Sequence, residues 1–527
     1  MAARPVPFQT VRGSRCAVAA ADQLATQAGM WAFARGGNAV DAAIAANAAI
    51  AVTGPHLCGM GGDLFAIVST PSGELVGLNA SGRAGSGADA SALRAEGFTA
   101  MPFRGDVRSV TIPGCVDGWA TLHERFGVLD LDVVLNPAIR LAADGFPCGP
   151  LLALVVTFLD DAAQRELHEL VDQAVRPGAV VRRPGVALTL QAIARGGRDA
   201  FYGGAFGEGL VHRGAGLFDT ADLEQNQAEW VDVIAVDVFG VELCSLPPNS
   251  QGYLTLGATR LAADAGLPAN PDDGLWAHLL VEATKAAAYD RPARLHEGAD
   301  GDALVADVIG RGEMLDASGS AAGRSIPMSD GDTTYLCTAD SDGWAVSLIQ
   351  SNASGFGSCL VEPTTSINLQ NRGLGFSLAE GHPAEFAPRR RPPHTLCPAL
   401  VRRDGQVAAV LGTMGGDAQP QILAQLVARL FHADQPLATA VAAARWALRG
   451  PETGFDTWTS ASPPTVVVED GAPPDWLDGL ASRGHTIARA RPFDSATGHA
   501  NAIVVEANGT FCAAADPRAL IGGSAAL

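Results

Sequence analysis

Lysine is almost absent from this chain, because Lys285 is the only lysine among 36 basic residues. A P-loop contacts phosphate through the lysine of a Gly-Lys-Ser/Thr motif, so a P-loop nucleotide site is excluded. Acidic residues outnumber basic ones to give a net charge of −20, and no basic stripe interrupts this excess. Nucleic-acid binding needs clustered arginine or lysine to replace phosphate counterions. The composition therefore excludes a nucleic-acid-binding protein.

Long hydrophobic runs are also missing. The N-terminal residues show no apolar stretch followed by a cleavage site, and the most apolar early run, NAVDAAIAANAAIAVTG, is too short to span a bilayer. The nine cysteines are scattered and form no CxxC pair, which is typical of reduced thiols in a cytoplasmic protein. The eleven histidines show no HExxH spacing. We therefore predict a cytoplasmic protein with no membrane span and no metal.

Apolar residues, by contrast, make up 47% of the 527 positions, enough for a large core. Residues 20–52 predict two helices joined at ARGGN, and DLFAIVSTPSGELVGLNAS predicts a β-hairpin. Residues 113–223 are predicted to be mostly helical, and the Asp-, Gly- and Ser-rich region 301–331 is predicted to be a linker. Strand pairs then alternate with helices. This order favours an α+β fold of stacked antiparallel sheets covered by helices on both outer faces.

Two threonines stand at the head of a predicted strand in MSDGDTTYLCTAD. Threonine suits strands, so a plain strand start is one interpretation. The other is catalytic, because a threonine hydroxyl becomes a nucleophile when its own α-amino group takes the proton. That amine exists only if the chain is cut before Thr333, into residues 1–332 and 333–527. With a pKa of about 7.7 to 8.0, such an amine is partly neutral at physiological pH.

Seven motifs follow the order and approximate spacing of the gamma-glutamyltranspeptidase family, which the chain resembles from about residue 15 to 523. They are ARGGNAVDAAIAANAAIAVTGPHLCGMGGDLFAIV, TIPGCVDGWATLHERFG, LPPNSQGYLTLG, DTTYLCTADSDGWAVSL, GFGS, GTMGGDAQP and ADPRALIGG. The resemblance implies an N-terminal-nucleophile hydrolase with a four-layer αββα sandwich. It also implies one precursor that cleaves itself into a large and a small subunit. These form a heterodimer, and two heterodimers could pair further.

The same resemblance assigns catalytic roles by position. Thr333 matches the nucleophile, so the bond to be cut is Asp332–Thr333. Ser351 matches a hydroxyl that hydrogen-bonds the nucleophile, and a solvated serine at a strand end is the alternative. Gly415 and Gly416 match the glycines whose N–H groups form the oxyanion hole, a role that suits glycine because its backbone can approach the substrate closely. A plain turn is the alternative for this pair.

Substrate-binding residues are assigned in the same way. Arg83, in NASGRAG, matches an arginine that binds the substrate's carboxylate, with a small insertion before it. Arginine suits this role because its guanidinium pairs with a carboxylate through two hydrogen bonds, and a surface-loop arginine is the alternative. Thr334 matches the family's second threonine. Further candidates, which lie beside the catalytic motifs, are Asn352, Asp417 and Gln419.

Three positions that hold the α-amino group of a glutamyl substrate in the family differ here. Ala353, Arg372 and Gly375 stand where the family has asparagine, glutamine and aspartate. An ammonium group would be repelled by the new arginine. His394 and Thr395 replace the family's paired serines, although a buried structural role for His394 is an equal alternative. The pocket is therefore predicted to take a small anionic acyl group without a free amine, as in the oxamate-amidohydrolase-like branch.

We therefore predict a self-cleaving threonine amidohydrolase or acyltransferase that needs no cofactor and acts on an oxamate- or oxalyl-like amide. Three alternatives stay open. They are a genuine gamma-glutamyltransferase or glutathione hydrolase, a C–C bond hydrolase of an oxalyl-type chain in natural-product biosynthesis, and a non-catalytic scaffold that is never cut. The predicted partners are a small-molecule substrate and the two subunits of one precursor.

Overall fold

The computed structural model describes residues 9–315, 333–450 and 464–527. Its strands, numbered in chain order, are β1 (Val11–Gly13), β2 (Cys16–Ala20), β3 (Asp63–Ser69), β4 (Leu75–Ala80), β5 (Phe146–Pro147), β6 (Val180–Val181), β7 (Glu229–Val231), β8 (Ile234–Val238), β9 (Val241–Ser245), β10 (Thr334–Asp340), β11 (Ala345–Ser351), β12 (Val361–Glu362), β13 (Ile367–Asn368), β14 (Ala399–Arg403), β15 (Gln406–Thr413), β16 (Trp446–Arg449), β17 (Thr465–Glu469), β18 (Ile487–Ala490), β19 (Ala500–Val505), β20 (Phe511–Ala514) and β21 (Gly523–Ala526).

The helices of the described residues are α1 (Gln23–Ala34), α2 (Ala39–Thr53), α3 (Ala90–Ala95), α4 (Cys115–Phe126), α5 (Leu131–Asp144), α6 (Pro150–Val155), α7 (Asp161–Glu166), α8 (His168–Val171), α9 (Pro184–Tyr202), α10 (Ala205–Gly214), α11 (Thr220–Glu224), α12 (Gly252–Asp264), α13 (Gly274–Ala288), α14 (Arg291–Arg294), α15 (Gly301–Ile309), α16 (Gln419–Val427), α17 (Leu437–Ala442) and α18 (Pro474–Ser482).

Two seven-stranded sheets form the centre of the protein. The first has the strand order β1-β20-β19-β15-β14-β9-β8, and the second has the order β21-β2-β10-β11-β3-β4-β7. Neighbouring strands in both sheets run antiparallel. Strands from before residue 316 and from after residue 332 are therefore interleaved in each sheet.

Apolar clusters fill the spaces between four layers. The core between the two sheets includes Phe65, Tyr335, Ile349 and Val410. Helices α1, α2, α4, α5 and α9 cover the outer face of the second sheet, and α12, α13 and α16 cover the outer face of the first. The predicted αββα sandwich is therefore confirmed.

The Ala-rich helix α2 lies directly behind the central strands β10 and β11 of the second sheet. It begins after Asn38, whose side chain accepts hydrogen bonds from the N–H groups of Val40 and Asp41. Asp41 in turn accepts a bond from the backbone N–H of Asn38, which completes a capping box. Every residue of α2 is buried, and small side chains allow this close approach to the sheet.

The predicted linker over 301–331 is wrong in its first part, because Gly301–Ile309 form helix α15. The side chain of Asp300 accepts a hydrogen bond from the N–H of Ala303 and caps this helix, while Leu304 and Val308 are buried. The apolar pattern of this nine-residue helix is short, and the Asp- and Gly-rich composition of the region favoured a linker instead. Residues 316–331 of the predicted linker, and Asp332 after them, lie outside the described residues.

None of the described helices combines the length and apolarity needed to cross a membrane. All nine cysteines are free thiols with buried side chains. Burial explains why so many thiols are present without any pairing, because cysteine packs as a small apolar residue. The cytoplasmic location stays a prediction.

Candidate active site

Thr333 stands immediately before β10, in the middle of the second sheet. Its hydroxyl donates a hydrogen bond to Oγ of Ser351 at 3.1 Å, and both side chains are fully buried. Ser351 ends the neighbouring strand β11, opposite Asp63 at the start of β3. The N–H of Ala353 also donates to Ser351 Oγ, at 2.8 Å. The fold thus brings together the predicted nucleophile and the hydroxyl predicted to bond it.

Arg372 reaches the same hydroxyl from the segment after β13. Its Nη2 donates to Ser351 Oγ at 3.2 Å, and its Nη1 donates to Oγ1 of Thr395 at 3.0 Å. Burial lowers the pKa of Arg372 to about 10, although the charge of Asp63 opposes this shift. The guanidinium therefore stays charged at neutral pH. A buried cation lies next to the hydrogen-bond partner of Thr333.

Gly415 and Gly416 form a turn directly after β15, with φ angles of +133° and +56°, a region that favours glycine. The hydroxyl of Thr413 donates to the carbonyl of Met414, and the N–H of Ala418 donates to the carbonyl of Gly415. In a trans peptide the N–H points opposite to the C=O of the same unit, so each glycine N–H points away from the bonded carbonyl of the preceding residue. No described residue accepts a hydrogen bond from them. Two free N–H donors can stabilise an oxyanion.

Gln251, just before α12, connects this turn to Arg372. Its Nε2 donates to the carbonyl of Gly416 at 3.1 Å and to the carbonyl of Thr395 at 2.8 Å. The hydroxyl of the same threonine accepts from Arg372. A continuous hydrogen-bonded network therefore runs from Thr333 through Ser351 to the glycine turn.

His394 is held on both ring nitrogens. Its Nε2 lies 3.2 Å from Oδ2 of Asp63, and the N–H of Leu396 donates to its Nδ1 at 3.3 Å. Since Nδ1 accepts, we assign the ring proton to Nε2, which donates to the carboxylate. Burial, followed by the charge of Arg372, lowers the pKa of His394 to about 3, so the ring is neutral. This geometry favours the structural interpretation of His394 over direct substrate binding.

Asp63 is a central residue of the site that the sequence analysis missed. Its Oδ1 accepts from the N–H groups of Gly82 and Gly114 and from Nε2 of Gln370, at 2.9, 3.2 and 2.9 Å. Together with His394, these donors hold a fully buried carboxylate. The available signal was its position in GMGGDLF, where an acidic residue begins an otherwise apolar strand. Asp63 fixes the end of β3 beside Ser351.

Arg83 lies in a separate cluster of charges. Its Nη2 is 3.6 Å from Oε2 of Glu229 and 4.0 Å from Oε1 of Glu297, and Arg391 shares both carboxylates. Among the described residues, no hydrogen bond or ion pair joins Arg83 to Thr333. Its predicted role in binding a substrate carboxylate stays a prediction.

The remaining candidates are all buried near the network. The Oγ1 of Thr334 and both amide atoms of Asn352 have no hydrogen-bond partner within the described part of the chain. Buried polar atoms are rarely left unpaired, so these atoms are available to a substrate or to water. Asp417 lies 3.6 Å from Arg291, and Oε1 of Gln419 accepts a backbone hydrogen bond. Their substrate-binding roles stay predictions.

The gamma-glutamyltranspeptidase family model matches residues 25–526. The chain belongs to this family. It is 34% identical over 516 residues to the oxamate amidohydrolase proenzyme of Klebsiella pneumoniae, with 94% of this chain and 95% of that protein covered. It is 31% identical over 524 residues to the glutathione hydrolase-like YwrD proenzyme of Bacillus subtilis, covering 97% and 98% of the two chains.

A solved structure also resembles this chain over its whole length. The cephalosporin acylase of Bacillus halodurans superposes with a TM-score of 0.89 at 32% identity, covering 100% of this chain and 99% of that one. The chain is therefore an amide hydrolase or acyltransferase of the N-terminal-nucleophile type. Both relatives are named proenzymes, which is consistent with a precursor that is processed into a heterodimer.

Within the described residues of this gamma-glutamyltranspeptidase family member, one group of possible metal ligands lies outside the network around Thr333. It consists of His278, Glu282 and His485. The ammonium of Lys285 lies 2.9 Å from Oε1 of Glu282 and 3.2 Å from Nδ1 of His485. This positive charge competes with a metal ion for the same ligand atoms. The sequence could not reveal the group, because 200 residues separate the lysine from the second histidine.

His394 predicts a measurable pH dependence of stability. Unfolding returns its pKa from about 3 to about 6.5, so the unfolded chain binds more protons as pH falls below 6.5. We expect the free energy of unfolding of the intact chain to fall by about 2 kcal/mol more than that of His394→Asn between pH 8 and pH 5. Urea titration at both pH values measures this, with surface His168→Asn as the control. Equal pH dependence in the His394→Asn chain and the unsubstituted chain would contradict the assignment.

Proposed function

We propose that the chain cuts itself between Asp332 and Thr333 and then hydrolyses, or transfers, a small anionic acyl group held in an amide. Residues 1–332 and 333–527 become the large and small subunits and stay together as a heterodimer. Pairing of two heterodimers remains a prediction from the family resemblance, which light scattering can check against the 54.0 kDa of one chain.

The proposed chemistry uses the residues of the network. The α-amino group released by the cut takes the proton of the Thr333 hydroxyl, and Oγ1 attacks the amide carbonyl. Ser351, already hydrogen-bonded to that hydroxyl, orients it, and the N–H groups of Gly415 and Gly416 stabilise the oxyanion. The protonated amine then gives its proton to the leaving nitrogen. Water or an amine attacks the acyl-enzyme and restores Thr333.

The observation that carries the substrate class is the buried guanidinium of Arg372, which contacts Ser351 Oγ at 3.2 Å. Its charge attracts a carboxylate carried by the acyl group and repels the ammonium of a γ-glutamyl group. Low exposure strengthens both effects, because water does not screen them. An oxamate- or oxalyl-like acyl group, with a carboxylate close to the reacting carbonyl, suits this short distance. The 34% identity to an oxamate amidohydrolase supports the same class.

Gly375 gives independent support. A Cβ built at this position overlaps the carbonyl oxygen of Pro393, so the aspartate that the family uses for a substrate's ammonium does not fit this backbone. At Ala353, φ is +78°, a conformation that asparagine adopts more readily than alanine. The family's asparagine could therefore return at residue 353, but the carboxylate at residue 375 could not.

A second candidate function is amide acylase activity on a larger substrate whose acyl group carries a terminal carboxylate. The likeness to the cephalosporin acylase of Bacillus halodurans, with a TM-score of 0.89, favours it. The two candidates share the nucleophile and the cation, and they differ in the length of the acyl chain. A series of dicarboxylic monoamides of increasing length separates them.

A substrate panel tests the proposal directly. Purified, cut enzyme is expected to release ammonia from oxamate with a kcat/KM at least about 100-fold above that for γ-glutamyl-p-nitroanilide, because about 3 kcal/mol separates attraction from repulsion at Arg372. Succinamate and glutaramate extend the series. The Thr333→Ala chain is the blank for each substrate. Faster turnover of the γ-glutamyl substrate than of every monoamide would refute the proposed substrate class.

A further inference from the structure

Three consecutive residues of the loop before α12, residues 249–251, donate side-chain hydrogen bonds to backbone carbonyls of residues 392–396, which follow the predicted cut. Nδ2 of Asn249 donates to the carbonyl of Pro392 at 2.7 Å, and Oγ of Ser250 donates to the carbonyl of Leu396 at 2.7 Å. Gln251 follows, and its Nε2 donates to the carbonyl of Thr395. We call residues 249–251 the strap. It lies between β9 and α12, entirely before the predicted cut.

Gln251 also donates a hydrogen bond to the glycine turn. Three successive carbonyls of the turn are bonded, those of Met414, Gly415 and Gly416. The first two accept from nearby residues of the chain, Thr413 and Ala418. The third accepts from the N–H of Gln419 and also, from outside the turn, from Gln251. Two adjacent glycines with positive φ are conformationally free, so a contact from outside the turn adds a restriction that the local bonds do not supply.

Arg291, at the start of α14, orients Gln251. Its Nε donates to Oε1 of Gln251 at 3.0 Å, which turns the amide N–H₂ toward the two carbonyls. Its Nη2 lies 3.6 Å from Oδ1 of Asp417, the residue after the glycines. All three side chains are more than nine-tenths buried. The pair therefore contacts two neighbouring residues of the turn from one side.

We infer that Gln251, oriented by Arg291, is a positioning residue that holds the N–H groups of Gly415 and Gly416 in the geometry needed for the oxyanion. The inference rests on the proposed function, because it gives these two N–H groups their catalytic role. It places a requirement for turnover in the large subunit, about 80 residues before the nucleophile, where the sequence motifs of the small subunit give no sign of it.

Gln251→Glu tests this inference, because it replaces the donating N–H₂ with an oxygen of similar size that repels both carbonyls. We expect kcat for the best monoamide of the panel to fall about 10- to 100-fold with KM changed less than about threefold, since misplacing a reacting group by about 1 Å costs that much. Gln251→Asn, which keeps the amide but shortens its reach, is expected to lie between Gln251→Glu and the unsubstituted enzyme. It also serves if Gln251→Glu does not fold.

Gln425→Glu is the matched control. Gln425 is 2% exposed, and its Nε2 donates to the carbonyls of Gln421 and Trp446, away from the turn. A fall in kcat as large as that of Gln251→Glu would mean that both changes act only through stability and would overturn the inference. An unchanged kcat in Gln251→Glu would overturn it as well.

A second readout does not depend on the substrate. Hydrogen–deuterium exchange of the peptide covering residues 411–420 is expected to be about tenfold faster in Gln251→Glu than in Gln425→Glu. Equal exchange in the two variants would overturn the inference even if no amide of the panel were turned over. Failure of the proposed function would appear separately, as amide turnover that persists in Thr333→Ala.

Discussion

Replacing Thr333 with alanine is expected to leave one uncut chain of 54.0 kDa and no detectable amide turnover. Alanine lacks the hydroxyl that attacks the peptide carbonyl of residue 332 during maturation and the substrate carbonyl afterwards, so both reactions stop together. The unsubstituted chain is expected to give two bands on a denaturing gel. N-terminal sequencing of the smaller band should read TTYLCTAD.

Thr333→Ser is the control for this result, because it keeps the hydroxyl and removes only a methyl group. We expect it to be cut, more slowly, and to retain measurable turnover. Thermal melting of all three proteins checks that they are folded. A cut chain in Thr333→Ala would show that Thr333 does not perform the cut. An unsubstituted chain that stays uncut and inactive after prolonged incubation would leave the scaffold interpretation in place of the enzyme.

Arg372→Gln is expected to reduce kcat/KM for oxamate by about 10²- to 10³-fold. The change removes the buried cation that contacts Ser351 and Thr395. Loss of one partner from a buried charge pair commonly costs about 2 to 5 kcal/mol, or about 30- to 5,000-fold. The loss is expected to be smaller for an uncharged amide such as acetamide. Steady-state ammonia release from both substrates gives the two ratios.

Two further variants separate charge from folding. Arg372→Lys keeps the charge but loses the two-nitrogen geometry, and an intermediate loss is expected. Arg429→Gln makes the same chemical change at another buried arginine, which stacks on Trp276 at 4.9 Å, so it should lower stability without selecting against oxamate. Equal losses for oxamate and acetamide in Arg372→Gln would show that the arginine supports the structure and does not recognise an anion.

Local signals in the sequence were sufficient for much of the fold. Asn38 before an Ala-rich run predicted the start of α2, and the PSG turn predicted the β3–β4 hairpin. Composition failed where a short helix, α15, lies in an acidic, Gly-rich region. The small sheet of β16, β17 and β18 was not predicted either. Its parallel pair β17–β18 is connected through α18, and such a pairing has no short-range turn signal.

For the site as well, residues marked by local motifs were predicted and residues defined by distant contacts were not. Thr333, Ser351 and Arg372 were predicted together because family motifs mark them by position, and the structure shows their contacts. Asp63 and Gln251 were not predicted, because the partners that link them to the site, His394 and Thr395, lie more than 140 residues away. Such contacts exist only once the two sheets have stacked. His394 lies in a recognised motif, but the motif could not predict its protonation state, because that depends on burial and on the contact with Asp63.

The interleaved sheets have a genetic consequence. In the second sheet, β10 and β11 lie between β2 and β3, and β2 lies between β21 and β10. After the proposed cut, the large subunit could therefore leave the small subunit only by breaking the hydrogen bonds at several strand edges at once. Two cut copies of this protein in one cell are therefore not expected to exchange subunits. An allele that damages the strap and another that damages the nucleophile should thus fail to complement each other, and every active molecule must come from a single intact reading frame.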